Sequence, residues 1–148
     1  MGGFLSKRRA PVVTQSQLNQ DKQIVEEDIN QLQVDRNVIN RTEEAYHTDI
    51  SNYNLYDSYF DIDKELYESS NLVSLKTYLT NIINEMNNFT NSFDNITGVP
   101  ALLKDYNKYI SDTYNYIYLY AYCNDKNTSI GNYINGNDGL IKSLPIIQ

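Results

Sequence analysis

The fold is decided by residues 18–67, LNQDKQIVEEDINQLQVDRNVINRTEEAYHTDISNYNLYDSYFDIDKELY. Within this stretch an apolar residue recurs at every seventh position, and neither glycine nor proline interrupts residues 12–97. The recurring residues are Leu18, Val25, Leu32, Ile39, Tyr46, Tyr53, Phe60 and Tyr67. A seven-residue apolar repeat is typical of a long helix that packs against other helices. The stretch therefore predicts a mainly α-helical chain.

A second apolar row, four residues after the first, is incomplete. Ile29 and Ile50 belong to it, but charged residues occupy its other positions. These charged residues are Lys22, Arg36, Glu43, Asp57 and Lys64. The incomplete row favours core packing within a helical bundle or hairpin, and a self-associating coiled coil is the alternative. Because Asn, Ser and Asp favour turns, we expect the long helix to break near 51–54 or 57–63.

A second, shorter helix is predicted over about residues 71–93. The Ser-Ser-Asn sequence at 69–71 combines a stop signal with a helix cap. Apolar residues then follow at 3.6-residue spacing, which places them on one helix face. They are Leu72, Leu75, Leu79, Ile82, Ile83, Met86 and Phe89.

A third helix is predicted over about residues 100–123. It follows a loop in which Thr97 can act as a cap, and Pro100 suits its first turn. Its apolar face consists of Leu103, Tyr106, Ile110, Tyr114, Ile117 and Ala121. Tyrosines at alternate positions from 114 to 122 are instead typical of a strand. We favour the helix because its periodicity begins at Leu103 and continues through the tyrosines.

Charge divides the chain into three parts. The formal charge is −7, and because Lys7, Arg8 and Arg9 contribute +3, residues 11–148 carry −10. We predict a basic anchor and linker over 1–15 and an acidic helical body over 16–123. An irregular Asn- and Gly-rich tail follows over 124–148. An acidic body repels nucleic acid, so a nucleic-acid partner is not expected.

The N-terminus matches the pattern for N-myristoylation. In Met1-Gly2-x-x-x-Ser6, the methionine is removed, Gly2 is acylated, and the Ser6 hydroxyl completes the motif. Glycine is needed because its amine must enter a narrow acyl-transferase channel without a Cβ. One myristoyl chain gives only marginal membrane binding, with an association constant of about 10⁴ M⁻¹.

The residues around this motif supply a second membrane signal. Lys7, Arg8 and Arg9 are expected to bind anionic lipid, and each basic residue adds about 1 kcal/mol near an anionic leaflet. Phe4 and Leu5 are placed to insert into the interface. No secretory signal is expected, because the apolar run after the first methionine is far too short.

Residues suited to catalysis or metal binding are scarce. One histidine, His47, and one cysteine, Cys123, cannot form a four-ligand zinc site. A single cysteine also excludes an intrachain disulfide, which agrees with a reducing, cytoplasmic compartment. We therefore expect no enzyme activity, no cofactor and no metal, with His47 on the surface or in packing.

Five acidic residues have the spacing of a calcium-binding loop. They are Asp57, Asp61, Asp63, Glu65 and Glu68. Tyr59 stands at a ligand position, and Ile62 replaces the glycine that allows the sharp turn of such a loop. We therefore expect a solvated acidic helix face instead.

Several short motifs in the first third of the chain occur together in one known family. They are Met1-Gly2, Lys7-Arg8-Arg9, Val13-Thr14, Asp21-Lys22-Gln23-Ile24 and a long helix containing Arg36. Together they resemble the lipidated charged multivesicular body protein of the ESCRT-III family. In that family a myristoylated glycine and a basic cluster precede a helical hairpin that nucleates membrane-remodelling polymers. The family's hairpin is strongly basic, whereas residues 21–68 here hold more Asp and Glu than Lys and Arg.

These observations predict a peripheral membrane protein that is not an enzyme. A lipidated tip would hold it at a cytoplasmic membrane face, where its acidic body recruits a protein partner as a scaffold or adaptor. This composition suits a viral structural or host-interaction protein. One alternative is the ESCRT-III-like polymer subunit that the resemblance implies. Another is a soluble helical interaction domain without lipid.

Overall fold

The computed structural model describes residues 15–42 and 44–124, with the backbone alone at 121–124, and its regular elements are all helices. They are α1 (Gln15–Asn37), α2 (His47–Glu68), α3 (Leu72–Met86), α4 (Thr90–Phe93) and α5 (Val99–Asn124). Helix α1 lies along α5, whereas α2 packs against α3 and α4. The prediction of a mainly α-helical, packed bundle is confirmed.

The seven-residue repeat forms one side of the core. Seven of its eight residues are buried, four in or just after α1 and three in α2. The exception is Tyr46, which is 82% exposed because it lies in the connection between these helices. The repeat therefore keeps its register across a break in the helix.

That break lies earlier in the chain than predicted. Helix α1 ends at Asn37, and the predicted break positions, 51–54 and 57–63, both lie inside α2. The physical reason is an Asx turn: the Asn40 side-chain oxygen accepts hydrogen bonds from the Thr42 amide at 2.9 Å and the Thr42 hydroxyl at 2.7 Å. These local bonds replace those that would continue the helix.

Helix α2 stops where the Ser-Ser-Asn sequence predicts, by a Schellman motif. The Asn71 amide donates to the Leu66 carbonyl at 2.9 Å, and the Ser70 amide donates to the Tyr67 carbonyl at 3.0 Å. Ser70 takes the left-handed position, with φ of 59°. Asn71 then precedes α3 as expected, although its side chain makes no capping hydrogen bond.

The predicted second helix is divided in two. Helix α3 ends at Met86, and a tight turn through residues 87–89 leads into the single turn of α4. Amides in this turn bond to carbonyls three residues back, as from Phe89 to Met86 at 3.0 Å. The predicted apolar face of α3 is nevertheless buried, so its periodicity was interpreted correctly.

The predicted third helix is confirmed as α5, including the tyrosine-rich segment. Tyr114, Tyr116 and Tyr118 are buried in helical conformation. The preceding turn depends on Gly98, whose φ is +90°. A Cβ at that position would lie 3.0 Å from the Ile39 Cδ1 atom, so both backbone conformation and space favour glycine.

Aromatic rings fill the centre of the bundle where α2, α4 and α5 meet. Six fully buried rings lie with neighbouring centroids 5.0–6.3 Å apart. They are Tyr53, Tyr56, Phe60, Phe93, Tyr106 and Tyr109. The closest pair, Tyr56 and Tyr106, is edge-to-face, a favourable arrangement for aromatic side chains.

Candidate functional site

The residues predicted to carry the lipid and contact the membrane lie outside the described residues. They are Gly2, Phe4, Leu5, Ser6, Lys7, Arg8 and Arg9. The predicted Asn- and Gly-rich tail also lies outside them beyond Asn124, the last residue of α5.

Two arginines and two aspartates join α1 to α2, and we call these four residues the arginine junction. Arg36 pairs with Asp57 at 2.6 Å and with Asp61 at 2.8 Å, and Arg41 reaches the other Asp57 oxygen at 2.7 Å. Burial opposes ionisation of Asp57, but the hydrogen bonds and charges of Arg36 and Arg41 lower its pKa overall. Asp57 is therefore a carboxylate held between two cations.

The arginines of this junction also contact the aromatic core. The Arg36 guanidinium carbon lies 5.1 Å from the centroid of Phe60, and that of Arg41 lies 5.2 Å from the centroid of Tyr53. Cations over aromatic faces gain electrostatic attraction. The junction thus fixes the angle between α1 and α2 through both charge and ring contacts.

An open cleft of about 280 Å³ lies beside the junction, between α1 and α2. It is lined by Glu26, Ile29, Asn30, Gln33, Lys64, Tyr67 and Glu68. Gln33 links cleft and junction, because its side-chain oxygen accepts a hydrogen bond from Arg36 at 3.1 Å. Two carboxylates against one ammonium, with an apolar floor, suit a cationic side chain of a partner.

Helices α1 and α5 meet along acidic residues that we call the carboxylate seam. It consists of Asp21, Asp28 and Asp35 on α1 and Asp105 and Asp112 on α5. The members on each helix are seven residues apart, so each set shares one face. Lys108 bridges the two helices, with its ammonium 2.8 Å from both Asp28 and Asp112. The Asn115 amide donates to Asp21 at 3.3 Å.

Two carboxyls of this seam, Asp28 and Asp105, have clearly raised pKa values. Burial, followed by the neighbouring Asp112, raises the pKa of Asp28 to about 7 despite the opposing effect of Lys108. A hydrogen bond with Asp35, followed by burial, raises the pKa of Asp105 to about 6. The neighbouring carboxylates therefore act in the same direction as burial and disfavour ionisation of Asp28 and Asp105.

One further carboxyl lies inside the core. Asp63 is fully buried and accepts a 2.6 Å hydrogen bond from the Tyr106 hydroxyl. Burial raises the pKa of Asp63 well above its usual range, although this hydrogen bond opposes the shift. The prediction of a solvated acidic face is therefore wrong for Asp63 and Asp57, while Asp61, Glu65 and Glu68 are exposed as expected.

The described part of the chain contains neither a metal-ligand cluster nor a membrane-spanning helix. Over residues 15–42 and 44–124, no three His, Cys, Asp or Glu side chains are arranged to hold a metal ion. No helix in these ranges combines the length and apolar character needed to cross a bilayer. His47, predicted to lie on the surface or in packing, is exposed at the start of α2.

The arginine junction and the carboxylate seam were not predicted from the sequence. A usable signal was present in both cases. Arg36 and Asp57 both interrupt the second apolar row and are three heptads apart. The seam aspartates repeat at intervals of seven on each helix. Charges that keep the heptad register mark the edges of packed helix faces, where they can meet across a seam.

No protein-family model, curated protein or solved structure matches this chain.

Proposed function

We propose that this protein is an N-myristoylated peripheral membrane scaffold whose acidic helical body recruits a protein partner. The observation that carries the proposal is the Met1-Gly2-x-x-x-Ser6 motif followed directly by Lys7, Arg8 and Arg9. An acyl chain with an adjacent basic cluster provides the two signals that stable membrane attachment requires.

The charge distribution supports a defined orientation on the membrane. The basic triplet carries +3, whereas the remainder of the chain carries −10. An anionic leaflet attracts the triplet and repels the body within about a Debye length, roughly 8 Å at physiological salt. The tip therefore contacts lipid while the helical bundle faces the cytoplasm.

The α1–α2 cleft is the surface of the body that we assign to partner binding. Its Glu26 and Glu68 carboxylates flank an apolar floor of Ile29 and Tyr67. A basic side chain of a partner would place its charge between the carboxylates and its methylene stem on that floor. The excess negative charge of the body would also accelerate the approach of such a partner.

Vesicle flotation after co-expression with an N-myristoyltransferase tests the anchor. We expect the wild-type chain to float with anionic vesicles and Gly2→Ala to remain at the bottom of the gradient. Gly3→Ala is the matched control, because it alters the adjacent glycine, leaves the acylated one intact and should float. Flotation of Gly2→Ala equal to wild type would contradict a lipid anchor.

Neutralising the basic triplet tests the contribution of the basic cluster separately from that of the acyl chain. Replacing Lys7, Arg8 and Arg9 with glutamine should leave acylation intact and weaken binding by about 3 kcal/mol, roughly a hundredfold. The loss should appear on phosphatidylserine-containing vesicles and vanish on pure phosphatidylcholine. Lys22→Gln, on the exposed side of α1, is the control and should bind like wild type.

The same experiments distinguish the alternatives. Filaments on anionic vesicles, seen by negative-stain microscopy, would favour the ESCRT-III-like polymer subunit over a simple scaffold. An acylated chain that never floats would contradict membrane attachment. It would favour a soluble helical interaction domain, for which the cleft is the first surface to mutate.

A further inference from the structure

The carboxylate seam contains facing and partly buried carboxyls, which are not needed simply to pack α1 against α5. Three aspartates of α1 face two aspartates of α5, and Lys108 is the cation that bridges the two helices there. Asp28 is only 7% exposed, and one of its oxygens is buried without a hydrogen-bond partner. One oxygen of Asp35 is also buried without a hydrogen-bond partner. A proton bound to Asp28 would give its unpaired oxygen a hydrogen to donate.

Each carboxyl of the seam faces identifiable charged groups. Asp28 faces Lys108 and Asp112, and its charge also acts on the Tyr109 hydroxyl. Asp105 faces Asp35, with Lys104 and Lys108 nearby. Asp21 faces Asp112 and receives the Asn115 hydrogen bond. Fully ionised, the five carboxylates outnumber these two lysines, whereas proton sharing turns repulsion into hydrogen bonds.

We propose that the carboxylate seam is a proton-operated latch, which holds α1 against α5 under mildly acidic conditions and loosens α1 as the pH rises through neutrality. The inference does not rest on the membrane proposal. Loosening α1 exposes apolar residues along both helices, among them Leu18, Val25 and Ile110. The latch therefore couples proton concentration to the exposure of the apolar faces of α1 and α5.

The direction follows from proton binding. The folded state keeps protons on Asp28 and Asp105 that the unfolded or detached state releases near pH 4. The stabilisation they provide is complete below about pH 4 and is lost as the pH rises through the folded values, about 6 and about 7. The latch therefore opens across the physiological range.

Hydrogen exchange of the full chain between pH 5 and pH 8 tests the latch. Protection factors, corrected for intrinsic exchange rates, are compared between α1 and α3, because α3 lies outside the seam. We expect protection in α1 to fall at least about tenfold more than in α3 over this range. Equal changes in both helices, or none in α1, would overturn the proposal without any variant.

The Asp28→Asn/Asp105→Asn double variant removes the titration and keeps the side-chain shape. It should abolish the selective fall in α1 protection while leaving helix content by circular dichroism unchanged. Glu65→Gln, at an exposed position of α2 outside the arginine junction, is the control and should keep the wild-type fall. A selective fall that persists in a folded double variant would also overturn the latch, as would its loss in Glu65→Gln.

Discussion

The two interfaces of helix α1, with α2 and with α5, both contain charged side chains, but only the interface with α2 has balanced charges. On the α2 side, the arginine junction sets two guanidiniums against two carboxylates. On the α5 side, the carboxylate seam sets five aspartates against the bridging Lys108. Arg36 and Asp57 of the junction keep a heptad register, and so do the aspartates of the seam on each helix. The balance of charge at an interface, more than the position of its charged residues, therefore determines how the stability of that interface depends on pH.

The difference in charge balance predicts that the junction and the seam respond to pH in opposite directions. The lowered pKa of Asp57 means that the junction loses its contribution as the pH falls below about 4. The raised pKa values of Asp28, Asp105 and Asp63 mean that the seam and core lose theirs as the pH rises. Helix α1 is therefore held by two sets of interactions: the junction weakens at low pH, and the seam weakens as the pH rises.

The largest effect is expected from a variant that breaks the arginine junction. Arg36→Met keeps an apolar stem over Phe60 but leaves Asp57 nearly buried with one cation and Asp61 without its partner. We expect the free energy of unfolding at pH 7 to fall by about 3 kcal/mol. Urea denaturation provides the measurement.

Arg41→Met is the matched control for that variant. Its side chain is 45% exposed and makes one ion pair, so the expected loss is below about 1 kcal/mol. Equal losses in the two variants would show that the junction does not depend on the double contact of Arg36.

The next test is the pH dependence of the free energy of unfolding of the wild-type chain. Because carboxyls with raised pKa values dominate, the free energy of unfolding should peak near pH 4–5. It should decline steadily toward pH 8 and more abruptly below pH 4. Denaturant titrations across this range provide the measurement. A maximum at or above pH 7 would contradict the raised pKa values of Asp28 and Asp105 in the seam and of the buried Asp63.

A smaller effect is expected when the seam loses its bridging cation. Lys108→Met should lower the free energy of unfolding by about 1–2 kcal/mol at pH 8, since Asp28 and Asp112 then repel each other unscreened. The loss should shrink at pH 5, where Asp28 holds a proton because its pKa is raised to about 7. Lys104→Met, one turn earlier on α5, should show a smaller effect. A loss independent of pH would count against charge mismatch as its cause.

The smallest effect concerns the exposed edge of the junction. Asp61 is 60% exposed, so Asp61→Asn should change stability by about 0.5 kcal/mol or less. Asp57→Asn, at the centre of the same cluster, should cause a several-fold larger loss. Urea denaturation of the two variants side by side measures the difference. A similar loss in both would mean that burial does not set the strength of this junction.

Much of the fold could be predicted because apolar periodicity reports which face of a helix is buried. The residues predicted for the apolar face within α3 are buried, and so are those predicted for α5 from Leu103 to Ile117. The helical interpretation of the tyrosine-rich segment was also correct, although the prediction did not include the buried Leu102 and Tyr109. The repeat itself hid the first break. Since Leu32, Ile39 and Tyr53 remain in register, the apolar pattern gives no sign that the helix ends at Asn37. The cause is the hydrogen bonding of Asn40, a local feature that periodicity does not record.

The charged contacts could not be predicted from local pattern because their partners lie far apart in the chain. Arg36 meets Asp57 only after α2 folds back on α1, and Asp28 meets Lys108 only through the packing of α1 along α5. Asp63 looked like part of a solvated face because its exposed neighbours share its composition. Its burial depends on Tyr106, which the sequence places more than forty residues away.

The proposed membrane attachment depends above all on an acyl chain at Gly2. Intact-mass spectrometry of the full chain, co-expressed with an N-myristoyltransferase and supplied with myristate, measures this directly. We expect a chain that lacks its first methionine and gains about 210 Da, the mass of one C14 acyl group. Gly2→Ala should show no such gain. An unmodified glycine in the wild-type chain would contradict the lipid anchor.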